Sequence, residues 1–173
     1  MDEGGPILIL VTGLPGSGKT YFADHLAERL NIEHFNSDRI RRSIQGHPEY
    51  SDEDRMRVYQ TMHEKVTELL DAGRSVIVDA TFSKSEYRRP YLVWAQKKGI
   101  PVKVIALTAP EEIIQERVDR TRPDSDADFQ VYQKLKTEYE PWEQSLLRLS
   151  NDGREIGLLI EDALDYLQNN TTS

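Results

Sequence analysis

Apolar and polar positions along this chain keep changing period. Short continuous apolar runs alternate with stretches whose apolar residues recur three or four apart. Ile7-Leu8-Ile9-Leu10-Val11, Ser75-Val76-Ile77-Val78-Asp79 and Val102–Leu107 are runs without polar alternation, the pattern of strands covered on both faces. Phe22, Leu26 and Leu30 predict a helix over 21–30 after the first run. Val58, Met62, Val66 and Leu69 predict a longer helix that Ser51 caps, that Asp52, Glu53 and Asp54 follow with negative charge, and that Ala72-Gly73 closes. Ser83-Lys84-Ser85-Glu86 has the form of a capping box for a helix through Lys98, which Gly99-Ile100-Pro101 ends. Pro110 suits the first position of a helix to about Val118, and Val131, Leu135 and Tyr139 predict another over 129–140. Weaker signals give a strand near Glu33–Phe35, a helical piece Arg39–Ile44, a loop over Gln45–Tyr50, a strand Ser145–Leu149 and a last helix Glu155–Leu167.

Strands alternating with helices imply right-handed crossovers and a parallel sheet with helices on both faces. The expected fold class is therefore α/β, a three-layer sandwich built on a five-stranded parallel sheet, in one domain over residues 1–173. Residues 1–5 and 169–173 are expected to fray. Ligands of such folds bind beyond the carboxyl ends of the strands. Four polar stretches fall there: Gly13–Thr20, Asp38, Asp79 and Asn151–Gly153.

Bulk composition narrows the function. A formal charge of −8 argues against a general nucleic-acid coat or an anionic-membrane binder, while leaving room for a local basic groove. The absence of cysteine excludes disulfides, thiolate catalysis and cysteine-rich zinc sites. No apolar run approaches the ~18 residues of a membrane span, and the acidic N-terminus lacks the basic region of a signal peptide, so a cytoplasmic protein without membrane contact is expected.

The most informative stretch is Gly13-Leu14-Pro15-Gly16-Ser17-Gly18-Lys19-Thr20. It has the form G-x-x-x-x-G-K-[ST] between a predicted strand and a predicted helix, the context that defines a phosphate-binding P-loop. Gly13, Pro15, Gly16, Ser17 and Gly18 would wrap backbone N–H groups around an anion. Lys19 would reach the β- and γ-phosphates, and the Thr20 hydroxyl would sit on Mg²⁺. The expected cofactors are ATP and Mg²⁺.

Transfer of a phosphoryl group to a hydroxyl also needs a base, a metal-supporting acid and cations on the moving charge. Asp79 at a strand end suits contact with the metal or its water, although a turn or cap role is the plainer reading. Asp38 suits the catalytic base, although it could simply cap the helix at Arg39. Arg41 and Arg42 could hold an anionic group of the acceptor or form a solvated helix face. Arg117, Arg120 and Arg122 flank a charged, Pro-containing stretch that reads as a lid over about 117–128. They could close on ATP or merely balance nearby acids. His25, His34, His47 and His63 show no metal-ligand spacing and are read as structural. The tryptophans and tyrosines are read as packing.

These residues resemble the small ATP-dependent P-loop kinases of the polynucleotide kinase, zeta toxin and chloramphenicol phosphotransferase group, an AAA-type ATP-binding kinase domain. The resemblance runs from about Ile7 to Glu143. It rests on Gly13–Thr20, Asn36-Ser37-Asp38-Arg39-Ile40-Arg41, Val76-Ile77-Val78-Asp79-Ala80-Thr81 with Arg88-Arg89, and Arg117–Arg122. It implies a general-base role for Asp38, acceptor-anion binding by Arg41, an active-site role for Asp79 beside Thr81, and a sheet order of 2-3-1-4-5. The expected activity is transfer of the γ-phosphate of ATP to a hydroxyl of a small-molecule or nucleic-acid-end acceptor that carries an anionic group. A nucleotide-dependent switch or partner-binding ATPase, and a nucleotide-sugar kinase of zeta-toxin type, are the competing expectations. Oligomeric state is not encoded in these motifs.

Overall fold

The computed structural model describes residues 4–44, 51–121 and 125–169, with side chains for all of these except 119–121 and 125–128. The predicted loop at 45–50 and the centre of the predicted lid lie outside them. The elements follow in the order β1 (Leu8–Thr12), α1 (Lys19–Leu30), β2 (Glu33–Asn36), α2 (Ser37–Ser43), α3 (Asp52–Asp71) and β3 (Val76–Ala80). They continue with α4 (Ser85–Lys98), β4 (Val102–Thr108), α5 (Glu111–Thr121), α6 (Ser125–Glu138), β5 (Leu147–Ser150) and α7 (Ile156–Asn169). The five strands form one parallel sheet in the order β2-β3-β1-β4-β5.

The continuous apolar runs are central strands, as their lack of alternation requires: every residue of β1 and β3 is buried. Odd and even positions serve different layers. Ile9, Val11, Ile77 and Ile105 pack under α1 and α7 with Phe22, Leu26, Leu159 and Ile160. Leu8, Leu10, Val76, Val78 and Val104 pack under α3 and α4 with Val58, Met62, Val66, Tyr87 and Tyr91. Asp79, two residues after Ile77, consequently faces the α1 side.

Two stretches differ in local structure from the expectation, the start of α4 and the described part of the segment read as a lid. The Ser83 capping box does not form: α4 starts at Ser85 with Lys84 as its cap residue and no side-chain cap bond. Its open N-terminus is satisfied from elsewhere in the chain, because Ser85 N–H donates to Glu140 Oε2 at 2.7 Å. The stretch read as a lid is largely helical. α5 continues to Thr121 and α6 begins at Ser125, because Ile114 and Val118 bury themselves against Tyr132 in a small third core. That apolar spacing outweighs the charge of the segment.

Arg88 holds the chain after α6 to the body. It is buried, donates through Nε to Phe82 O at 2.7 Å and through Nη1 to Pro141 O at 2.9 Å, and bonds Ser83 O and Glu140 O through Nη2. Its guanidinium also lies 4.1 Å from the centre of the Trp142 ring. Trp142 Nε1 donates to Tyr139 Oη, which bonds Thr12 Oγ1, and Thr12 donates to Thr81 O. Arg88→Met is expected to lower unfolding free energy by about 3 kcal/mol, because it strands several buried carbonyls at once. Denaturant titration checks this, and a loss under about 1 kcal/mol would show that the clamp carries little.

Candidate active site

The turn from β1 into α1 adopts backbone angles that glycine allows without strain. Gly16 and Gly18 have φ of 82° and 86°, and Gly18 is the left-handed cap residue that starts α1. A Cβ at Gly18 would collide with the Asn151 amide, and one at Gly16 would meet Ile114 at 3.0 Å. The loop is braced from outside by Asn151 Nδ2, which donates to Ser17 O at 3.0 Å, and by Arg117 Nη1, which donates to Gly16 O at 2.8 Å. Lys19 and Thr20 are the first residues of α1, where unpaired N–H groups and the helix dipole favour an anion. Ser17 Oγ is buried inside the loop beside Gly13 with no hydrogen-bond partner among the described residues.

Beneath Thr20 lies a wholly buried carboxylate. Asp79 is 0% exposed, and its oxygens are taken up by three side chains. Oδ1 accepts from Thr20 Oγ1 at 3.2 Å, and Oδ2 accepts from Asn36 Nδ2 at 2.9 Å and His34 Nε2 at 2.6 Å. The positions follow from simple periodicities. His34 and Asn36 are alternate residues of β2, so they share a face, and Asn36 is the register partner of Asp79. Thr20 and Asp24 are one turn apart on α1, and Asp24 Oδ1 meets the other ring nitrogen of His34 at 2.8 Å. Both contacts of His34 are hydrogen bonds only when both ring nitrogens carry hydrogen. Asp24 also takes a two-pronged bond from Arg39, at 3.1 and 3.0 Å. That bond above all, with the His34 bond behind it, holds the Asp24 carboxyl below its ordinary pKa against the opposing effect of partial burial.

Asn36 serves both sides of the site. Its Oδ1 caps α2 by accepting from Arg39 N–H at 2.9 Å, while its Nδ2 donates to Thr20 and Asp79. Asp38 is thereby relieved of capping and projects into the cleft, 62% exposed, accepting from Arg41 Nη1 at 2.7 Å.

The cleft above these residues has a volume of about 620 Å³. One wall is the loop with Lys19, Thr20 and Arg117, and the facing wall carries Asp38, Arg41, Arg55, Tyr59 and Tyr87. Val118, Val131 and Leu135 of α5 and α6 close the apolar end. Arg55 is buried at 6% exposure, and its carboxylate contacts, 3.4 Å to Glu138 and 3.6 Å to Asp52, both run through Nη1. Tyr59 and Tyr87 stack with ring centres 4.5 Å apart, and burial raises both phenol pKa values, so they remain protonated.

Of the residues singled out from sequence, Pro15, Gly16, Gly18, Lys19, Thr20, Asp38, Arg41, Thr81 and Arg117 line this cleft. Gly13 and Ser17 are buried in the loop, and Asp79 lies below it. Arg42 is exposed on α2 outside the lining, and the Arg120 side chain and all of Arg122 lie outside the described residues. Arg39 and Arg88 are turned to Asp24 and to backbone carbonyls instead of the cleft. Sequence reading missed Arg55, although it sits three, four and seven residues before Val58, Tyr59 and Met62, where an arginine interrupts an apolar stripe. It also read His34 as merely structural.

A family model described as an AAA domain matches residues 8–142. Among solved structures, a sugar kinase from Janibacter sp. is 25% identical, with 94% of each chain covered and a TM-score of 0.70. The APS kinase CysC of Mycobacterium tuberculosis, in complex with AMPPNP and APS, is 22% identical over 95% of this chain and 98% of that one, TM-score 0.72. A gluconokinase from Sinorhizobium meliloti is 20% identical over 95% and 93%, TM-score 0.72. The shared fold is that of P-loop kinases. No curated protein matches the sequence.

The Asp24 arrangement fixes a pH dependence. Its carboxyl pKa is depressed on folding, so the stabilisation it gives is full above its ordinary value of 3.8 and lost as pH falls through the lower folded value. The stability gap between the parent and Asp24→Asn should therefore be present at neutral pH and close in acid. A gap that stays constant from pH 7 to about pH 2 would contradict the assignment.

Proposed function

Because the chain belongs to the AAA domain family, we propose that it is a nucleotide-dependent kinase that moves the γ-phosphoryl group of ATP to a hydroxyl of an acceptor bearing an anionic group. One observation carries this reading: the cleft sets an exposed carboxylate, Asp38, with two arginines across from a phosphate-binding loop. A site that only bound or hydrolysed nucleotide would need no carboxylate and guanidinium pair on the far wall.

In this reading Lys19 and the loop amides bind the phosphates, and Arg117, already seated on the loop, lies beside them. Asp38 accepts the proton of the acceptor hydroxyl as its oxygen bonds the γ-phosphorus and the bond to the β-phosphate oxygen breaks. Arg41 and Arg55 hold the acceptor's anionic group, with the stacked Tyr59 and Tyr87 as an apolar wall. Nucleotides, oligonucleotide ends and phosphorylated metabolites share that chemistry, whereas a neutral sugar gains nothing from the arginines.

Thr20 fits a magnesium ligand. Its hydroxyl proton goes to Asp79 and one lone pair accepts from Asn36, which leaves one lone pair for a cation. Asp79, with both oxygens engaged inside the protein, supports Thr20 from behind. Thr20 would hold a Mg²⁺ ion there, which would supply charge neutralisation for the transferring phosphate.

The test is ATP consumption screened against nucleotides, 5′-hydroxyl oligonucleotides, phosphorylated metabolites and neutral sugars. Turnover that depends on an anionic acceptor supports the proposal. Consumption independent of any acceptor points instead to a nucleotide-driven switch. Asp38→Asn is expected to lower kcat by about 10²-fold with little change in ATP affinity. Arg55→Ala and Arg41→Ala should each raise the acceptor KM about tenfold or more and leave that of ATP near its original value.

A further inference from the structure

The geometry points to His34 as a positioning residue for the nucleotide site, acting through Asp79. This rests on the reading of Thr20 as a magnesium ligand and adds a residue to it.

A buried carboxylate is stable only with its lone pairs satisfied, and which donors satisfy them decides how the group is oriented. His34 Nε2 and Asn36 Nδ2 both occupy Oδ2 of Asp79, so Oδ1 is the oxygen turned to Thr20. Three donors from two elements, α1 and β2, thus set the carboxylate plane. The Thr20 proton is in turn drawn down to Asp79, which turns its remaining lone pair up to the cleft. His34 never reaches the cleft: its side chain is 6% exposed and is absent from the lining.

The ring is itself held from the far side. Asp24 takes Nδ1 of His34, and Arg39 fixes Asp24 with two bonds, so Arg39, Asp24, His34 and Asp79 form one bonded row. An apolar residue would cover α1 at lower desolvation cost, since a polar ring in this position must be fully bonded to break even. What the histidine adds is a fixed direction for Asp79. Partners of this kind behind a metal ligand typically change metal affinity or activity by 10–100-fold when removed.

Two amide substitutions separate this role from simple packing. The amide nitrogen of glutamine falls near the position of Nε2 and keeps the bond to Asp79, whereas that of asparagine falls near Nδ1 and keeps only the bond to Asp24. ATP binding is titrated calorimetrically at a series of Mg²⁺ concentrations, with thermal unfolding in parallel. His34→Asn should raise the Mg²⁺ needed for half-maximal ATP affinity about tenfold, while His34→Gln stays close to the parent. In an Asp79→Asn background the difference between the two should vanish. Equal effects of the two substitutions, or no effect of either, would overturn the assignment. Should His34→Asn fail to fold, Asp24→Ala removes the outer anchor at a side chain 44% exposed. A several-fold higher Mg²⁺ requirement then supports the assignment and an unchanged one overturns it. A parent protein whose ATP binding ignores Mg²⁺ would instead sink the magnesium reading itself.

Discussion

A carboxylate with no exposure to solvent has to be solvated by the protein, and this requirement organises the site. Asp79 draws Thr20 from the start of α1, His34 and Asn36 from β2, and through them Asp24 and Arg39. The edge strand β2 is thereby locked to the phosphate loop by side chains as well as by its pairing with β3. Removing one partner would leave a buried charge short of a bond, which costs more than the bond was worth.

The same set of bonds joins the two halves of the cleft. Asn36 is at once the cap of α2 and a donor to Thr20, so the helix that carries Asp38 and Arg41 starts at a point held by the nucleotide wall. The distance between loop and carboxylate is set by one buried amide and its neighbours, with no long connection to flex. Arg55 belongs to a different element, α3, which packs beside α2 on the same sheet face and reaches the same wall.

What could be read from sequence was what depends on neighbours along the chain. The glycine loop, the unbroken strands and the crossover rule were enough for a parallel sheet with helices on both faces, because each is local or follows from handedness, while the strand order came from the family resemblance. The grouped arginines were misleading because successive helix residues point about 100° apart, so of Arg39, Arg41 and Arg42 only Arg41 lines the cleft. His34 was illegible because its partners come from α1 and β3, and nothing in Glu33-His34-Phe35 announces them. Ser83 misled for the same reason in reverse: a good local cap lost to a glutamate more than fifty residues away.

The Arg88 clamp has a mechanical side. It pins the segment just after α6 to the body of the protein, while the other end of α6 leads toward α5 and the phosphate loop. α6 is held at two places, by this clamp just beyond Glu138 and along its length by Tyr132 packed against Ile114 and Val118. The contact of Arg55 with Glu138 therefore sits at the clamped end of the helix, and the backbone of residues 138–141 links the Arg88 guanidinium to the wall that carries Arg55.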